Sequence, residues 1–388
     1  MAQRNFLPIA RPTLGAAEAE AVKAAILSGW VTQGPEVAAF EREFAAFTGA
    51  PHACAVANCT AALHLALMAA GVKPGDEVIT VSHSFIATTN AIRHCGAVPV
   101  FIDIAPETYN LDPRGLEEAL TGKTRAVLCV HQMGMPCDMG AILAFARAHD
   151  LAVIEDAACA VGSRICNADG VLEPVGLPHG DLACFSFHPR KVLTTGDGGM
   201  ITARSSDHQR ALRLWRQHGM SVPDTVRHAS ERVIFESYLV PGYNYRMTDV
   251  QAALGRAQLA RLDTMVARRR SIAGLYGAAL VGIEGLGLPL EPDWARSNWQ
   301  SYCVRLPEAV DQRGAMQHML DHGVATRRGV MCAHREPACA DLAPRHPLPH
   351  SEAAQDRCIV LPLFPDMADG DIDRVATTLA AACRHARR

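Results

Sequence analysis

From about residue 14 to residue 260 the apolar positions alternate between two spacings. Stretches with an apolar stripe every three or four residues, the helical period, are TAALHLALMAAG (60–71), ATTNAIRHCG (87–96) and GAILAFARAHD (140–150). Between them lie short runs rich in Val and Ile that read as strands: DEVITV (76–81), VPVFIDI (98–104), RAVLCV (125–130) and LAVIEDAA (151–158). Strands alternating with helices predict α/β layers on a largely parallel sheet. The arginine-rich stretch QAALGRAQLARLDTMVARRRSIAGLYGAAL (251–280) predicts one long amphipathic helix. Beyond about residue 265 the alternation weakens and prolines accumulate. The expected organisation is a large domain over 1–260, including the N-terminal segment, and a smaller C-terminal α+β domain over 261–388.

Ligands of open α/β sheets collect beyond the carboxyl ends of the strands. Polar residues just past the predicted strands are therefore the first candidates: Asn58 and Thr60, Ser84 and Phe85, His131 and Gln132, Glu155 and Asp156. Glu155 and Asp156 are neighbours on one strand and are expected to face opposite sides of it.

Composition narrows the function classes. The chain has 388 residues, 49% hydrophobic and 20% charged, with a net charge of -3, which gives no basic footprint for nucleic acid. Residues 1–13 lack the apolar core of a signal peptide, and no apolar run is long enough to cross a bilayer, so a cytoplasmic location is expected. The 13 cysteines are odd in number and contain no CxxC pair, which predicts buried apolar thiols in a reducing compartment. Seventeen histidines, among them His64, His83, His94 and His131, show no zinc-site spacing and read as satisfied polar or core-edge groups.

One cation stands out. Of 37 basic residues only four are lysines, and one of them, Lys191, sits between FSF and a glycine turn in FSFHPRKVLTTGDGGM (185–200). A neutral amine can form a Schiff base with a carbonyl, and burial favours the neutral form; guanidinium cannot do this chemistry. Asp156, 35 residues earlier, suits a proton on a pyridine nitrogen, the arrangement that lets pyridoxal phosphate act as an electron sink. Asn58, Cys59 and Thr60 precede a helical run whose first-turn amides suit a phosphate, Ser186 offers a hydroxyl, and Phe85 offers a flat face. Each feature alone is ordinary. Together they point to a pyridoxal phosphate site.

The stretches SGWVTQGPEVAAFE, ANCTAALHLAL, GDEVITVSHSFIATTNAI, PVFIDIAPETYNLDP, HQMGMPCDM, VIEDAACAVGS, GDLACFSFHPRKVLTTGDGGM, GYNYRMTDVQAALGRAQL and LPLFPDM resemble, in order and over nearly the whole chain, the DegT/DnrJ/EryC1/StrS aminotransferases. These are pyridoxal phosphate-dependent sugar aminotransferases of fold type I. The resemblance implies a mostly parallel sheet sandwiched by helices with a smaller C-terminal domain. It implies that Lys191 forms the Schiff base, Asp156 contacts the pyridinium nitrogen, and Phe85 stacks on the ring. Cys59, Thr60 and Ala61 fall on the phosphate-binding turn, with Ser186 in support. Asn244 in GYNYRM would reach the cofactor of a neighbouring subunit, so that a homodimer shares its active sites. Two positions depart from the family pattern: Cys59 replaces a usual glycine, and Cys159 replaces a glutamine or histidine close to the cofactor.

The implied reaction moves an amino group from an amino acid, with glutamate the expected donor, to a nucleotide-linked keto sugar. Arg246 and the arginine-rich 218–232 region are candidates for a substrate pyrophosphate. A dehydratase of the same superfamily is an alternative, but it replaces the lysine with histidine, which Lys191 opposes. A non-catalytic sensor that binds the cofactor or a sugar is the other alternative, because fold alone does not fix function.

Overall fold

The computed structural model describes residues 6–167, 169–228 and 230–387. The central sheet has seven strands: β1 (His52–Val56), β2 (Glu77–Val81), β3 (Val98–Ile102), β4 (Thr124–Val130), β5 (Ala152–Asp156), β8 (Leu182–Ser186) and β9 (Gly199–Ala203). Two short strands, β6 (Arg164–Cys166) and β7 (Leu172–Pro174), interrupt that series and form a small sheet with β10 (Ala295–Arg296). A third sheet joins β11 (Tyr302–Arg305), β12 (Arg327–Arg328) and β13 (Cys358–Leu361) in the order β11-β13-β12.

In the central sheet the order is β1-β9-β8-β5-β4-β2-β3. The pairs from β8 to β3 are parallel, and β9 runs antiparallel to both its neighbours. Six carboxyl ends therefore share one edge with the start of β9, where Gly199 lies opposite both Val56 and Ser186. This mostly parallel sheet packed with helices is the expected fold.

The four predicted strands appear at 77–81, 98–102, 124–130 and 152–156, and the three predicted helices at Cys59–Ala69, Ile86–His94 and Met139–Ala148. Alternate strand residues feed two apolar layers, which is why the strands read as nearly continuous hydrophobic runs. Val153, Ala183 and Phe185 belong to one layer, and Ile154, Leu182 and Cys184 to the other. The first layer includes Phe40 and Phe44 of the helix Pro35–Thr48, whose rings meet Phe187 at 5.4 Å and Phe185 at 5.0 Å. Each fully buried ring contributes about 2 kcal/mol of transfer free energy. They anchor the strand that leads to Lys191.

The single helix expected over 251–280 is two, Asp249–Leu259 and Leu262–Leu280. The sequence has no breaker there; tertiary anchoring ends the first helix. Gln258 and Arg261 both donate to the Thr13 carbonyl and to Glu18, pinning the junction to the N-terminal segment. The second helix packs with the helix Asp369–His385 in a separate apolar cluster that includes β11 and β13. Leu7 joins this cluster, its N–H bonded to the Gly323 carbonyl at 2.9 Å. Among the described residues no helix is long and apolar enough to cross a membrane.

Candidate active site

A cavity of about 920 Å³ opens at the edge where the strands end, walled by both halves of the chain. Eight of the nine expected site residues line it: Asp156 at the end of β5 with Cys159 just beyond, Ser186 at the end of β8 with Lys191 on the loop that follows, Cys59, Thr60 and Ala61 in the first turn of the helix Cys59–Ala69, and Phe85 on the loop after β2.

Asp156 ends β5. It is 5% exposed, accepts a hydrogen bond from the Thr88 hydroxyl at 2.8 Å and one from the Ala158 N–H at 3.2 Å. The Thr88 hydroxyl is itself 2.8 Å from that of Ser84. Burial pushes the Asp156 carboxyl above its usual range, while Thr88, Ala158 and the charge of Lys191 pull it back. Thr88 was not legible as a site residue, because a threonine inside a helical run carries no signal of the acid it will meet 68 residues later.

Glu155 points the other way, as strand alternation requires. It accepts from His131 Nε2 at 3.0 Å and from the Gly180 N–H at 2.8 Å. The Cys137 N–H donates to His131 Nδ1 at 3.0 Å, so the ring proton resides on Nε2 and the imidazole is neutral. Glu155 and His131 thus brace β4 against β5.

Lys191 follows β8 on a loop closed on itself. The Phe187 carbonyl accepts from the Thr194 hydroxyl at 2.9 Å and the Thr195 N–H at 3.0 Å, and the chain turns at Gly196 with φ +81°. This presents Lys191 Nζ to the cavity, 2.9 Å from Cys159 Sγ. The sequence expectation was an amine pushed towards neutrality. Burial does act in that direction, but Cys159 and Asp156 outweigh it, and the amine's pKa is raised above its ordinary value. The hydrogen bond that the amine donates to the Cys159 sulfur, with the Asp156 carboxylate nearby, is the physical reason.

The helix Cys59–Ala69 starts in the cavity wall. Asn58 caps it, its side chain accepting from the Ala61 N–H at 2.9 Å. That commitment leaves the N–H groups of Cys59 and Thr60 as the open donors among the described residues of this turn. A Cβ at Gly199 would stand 2.7 Å from the Asn58 carbonyl and 2.9 Å from Cys59 N, so only glycine lets β9 approach this helix start. Ser186 also faces the cavity, its hydroxyl near the His188 N–H at 3.5 Å. Phe85 lies on the wall and is 63% exposed.

Asn244 is not on the cavity wall; it is exposed and bridges Gln217. Arg246, Arg227 and Arg232 do not line the cavity either. The arginines that do are Arg190, Arg327 and Arg328, and Gln300 also lines it. Gln300 Nε2 donates to the Arg190 carbonyl at 2.8 Å while its Oε1 is buried without a partner among the described residues. Arg327 and Gln300 escaped the sequence reading because they belong to the region where periodicity fades.

The 13 cysteines are all free thiols and 11 are buried, as expected for apolar packing. His83 departs from the expectation of a satisfied histidine: it is fully buried and neither ring nitrogen has a partner among the described residues.

The model of the DegT/DnrJ/EryC1/StrS aminotransferase family matches residues 12–380. The chain belongs to this aminotransferase family. It is 41% identical over 379 residues to the spore coat polysaccharide biosynthesis protein SpsC of Bacillus subtilis, covering 96% of each chain. Among solved structures, the aminotransferase TlmJ from Streptoalloteichus hindustanus matches with a TM-score of 0.89 at 32% identity, over 98% of this chain and 100% of that one. DesI, solved in the presence of its TDP-sugar product, matches with a TM-score of 0.86 at 32% identity, over 98% of this chain and 94% of that one.

The protein is a pyridoxal phosphate-dependent aminotransferase. The aminotransferase's own residues fit that cofactor. An open helix N-terminus suits the phosphate, a buried acid suits the ring nitrogen, and a lysine amine reaches the space between them, beside a glycine that keeps the cradle free of side chain. At the two departures from the family pattern, the Cys59 side chain is buried within the helix packing, whereas the Cys159 thiol reaches Lys191.

Proposed function

We propose that this aminotransferase transfers the amino group of an amino acid, glutamate, to a nucleotide-linked keto sugar, in active sites shared across a homodimer. The observation that carries the reading is the meeting of Lys191, Asp156 and the open amides of Cys59 and Thr60 in one cavity of about 920 Å³, large enough for cofactor and a bulky second substrate. The sugar assignment draws on DesI, whose structure was solved with a TDP-sugar product, and on the polysaccharide role named for SpsC.

The cofactor, when bound, supplies an electron sink for the carbon that loses its proton. Lys191 Nζ holds the cofactor and, once released, moves the proton as the general base. Asp156, fixed by Thr88 and Ala158, keeps a proton on the ring nitrogen. The Cys59 and Thr60 amides and the Ser186 hydroxyl take the phosphate, Ala61 completes their turn, Phe85 covers the ring, and Cys159 lies beside Lys191. Asn244 reaches towards the phosphate of the neighbouring subunit. At the mouth, Arg190 and Arg327 are close enough to repel one another and suit the anionic groups of donor or nucleotide.

The purified holoenzyme is incubated with glutamate and nucleotide-linked 3-keto and 4-keto sugars, and products are read by mass spectrometry. An amino sugar nucleotide is expected. A dehydrated sugar, or bound cofactor with no amino transfer to any keto sugar, overturns the reading.

A further inference from the structure

We propose that Cys159 and Lys191 form an oxidation-sensitive lock on the cofactor-free protein, in which a peroxide turns their contact into a covalent S–N bond and so withholds the amine from the cofactor. The inference rests on Lys191 being the cofactor-attachment residue.

The geometry is specific to this pair. Lys191 Nζ and Cys159 Sγ are 2.9 Å apart, a hydrogen-bond contact that already brings amine and sulfur together. The backbone that carries each group is anchored. Asn298 Nδ2 holds the Cys159 carbonyl at 2.9 Å and the Val161 carbonyl at 2.8 Å, and the Lys191 N–H is tied to the His188 carbonyl at 2.8 Å. Both residues line the large cavity, so a small oxidant reaches them. Of the 13 thiols only Cys159 and Cys166 are not buried, and of these two, among the described residues, Cys159 is the one hydrogen-bonded to a lysine. The Lys191 amine donates to the Cys159 sulfur, so the two reacting atoms already face one another. Cys59 is close by, but burial holds its thiol well above the ordinary range and keeps it protonated.

The chemistry balances in two steps. The Cys159 thiolate attacks one oxygen of hydrogen peroxide; the O–O bond breaks, sulfur is oxidised to the sulfenic acid, and the other oxygen leaves as water after taking a proton from the Lys191 ammonium, which becomes the neutral amine. The neutral Lys191 amine then attacks that sulfur; the S–O bond breaks, the S–N bond forms, and the hydroxyl leaves with an amine proton as water. The pair loses two hydrogen atoms in all. A thiol reductant reverses the step by attacking the sulfur and returning the amine. With the cofactor attached, the amine is occupied and the lock cannot close.

The test uses the full-length protein, with and without cofactor, treated with hydrogen peroxide and digested for mass spectrometry. The expected result is a cross-link between the Cys159 and Lys191 peptides, two hydrogens lighter than their sum, in the cofactor-free protein alone. Cofactor attachment, read by absorbance, falls in proportion to the cross-linked fraction and returns with dithiothreitol. In Cys159→Ser, attachment is the same before and after peroxide. In Lys191→Gln, the sulfenic acid persists and is trapped by a 1,3-dione probe, a readout independent of cofactor binding. An unmodified Lys191 peptide, a Cys59–Cys159 disulfide, or an equal cross-link in the loaded protein overturns the proposal. A cross-link that leaves cofactor attachment intact instead overturns the role given to Lys191.

Discussion

The Thr88 hydroxyl donates to Asp156 Oδ2 at 2.8 Å, joining the helix Ile86–His94 to the end of β5. The acid is thereby aimed before any cofactor arrives. Hydrogen bonds to charged groups contribute about 1.5–3 kcal/mol. Thr88→Val is therefore expected to raise the Asp156 pKa further and to cut kcat by roughly tenfold or more, measured by steady-state turnover alongside spectral titration of the bound cofactor. Unchanged turnover would show that Ala158 alone orients the carboxylate.

Gly199→Ala inserts a Cβ at 2.7–2.9 Å from backbone atoms of Asn58 and Cys59, which have no flexible side chain to yield. The helix start must shift away from the cavity edge. The expected outcome is a cofactor dissociation constant raised at least about tenfold, since one lost charge-assisted contact suffices for that, with a smaller change in folding stability. Equilibrium dialysis against the cofactor checks it.

Lys191→Ala is expected to keep part of the cofactor affinity through the phosphate and ring contacts while losing amino transfer. Borohydride reduction of the wild-type holoenzyme should label the peptide that carries Lys191, and reduction of the variant should not. Full activity in Lys191→Ala would mean that another base moves the proton.

Burial pushes His64 down to about 4, helped by neighbouring His94, and pushes His83 down to about 4 as well. In the unfolded chain both titrate near 6.5. Between about pH 4 and 6.5 the unfolded state therefore binds more protons, so stability rises with pH across this window and is lost as the pH falls through it. The loss at the acid end is on the order of 3 kcal/mol for His83 and smaller for His64, whose charge solvent partly screens. Urea midpoints measured from pH 7.5 to pH 4.5 should fall, and His83→Asn should flatten part of that slope whatever its effect at neutral pH.

Glu41 and Arg216 are a buried ion pair, 4% and 6% exposed at the side chain, and Glu41 also accepts from Arg213 at 2.9 Å and the Ala55 N–H at 3.0 Å. Glu41→Gln leaves a buried guanidinium without its counter-charge, which costs about 3–5 kcal/mol. A large drop in the urea midpoint is expected, and replacing both partners with apolar residues of similar size should recover much of it.

Much of the architecture was legible because it rests on short-range order. Strand runs at β2 to β5, the helix start after Asn58 and the lysine before a glycine turn are each written within a dozen residues, where period and capping chemistry act. The same local logic placed Glu155 and Asp156 on opposite faces of β5.

What the chain determined by itself was therefore the alternation of elements, the edge where polar residues gather, and the residue types able to hold a cofactor there. Tertiary structure decided the rest: the break at Ala260–Arg261, imposed by Thr13 and Glu18; the aim of Asp156, set by Thr88; the burial of His83 without hydrogen-bond partners among the described residues; and the contact of Cys159 with Lys191 across 32 residues of sequence. The reason is physical. Backbone period and capping depend on neighbours in sequence, whereas the pairing and pKa of a side chain depend on whichever groups the packed sheet and loops bring within a few ångströms of it.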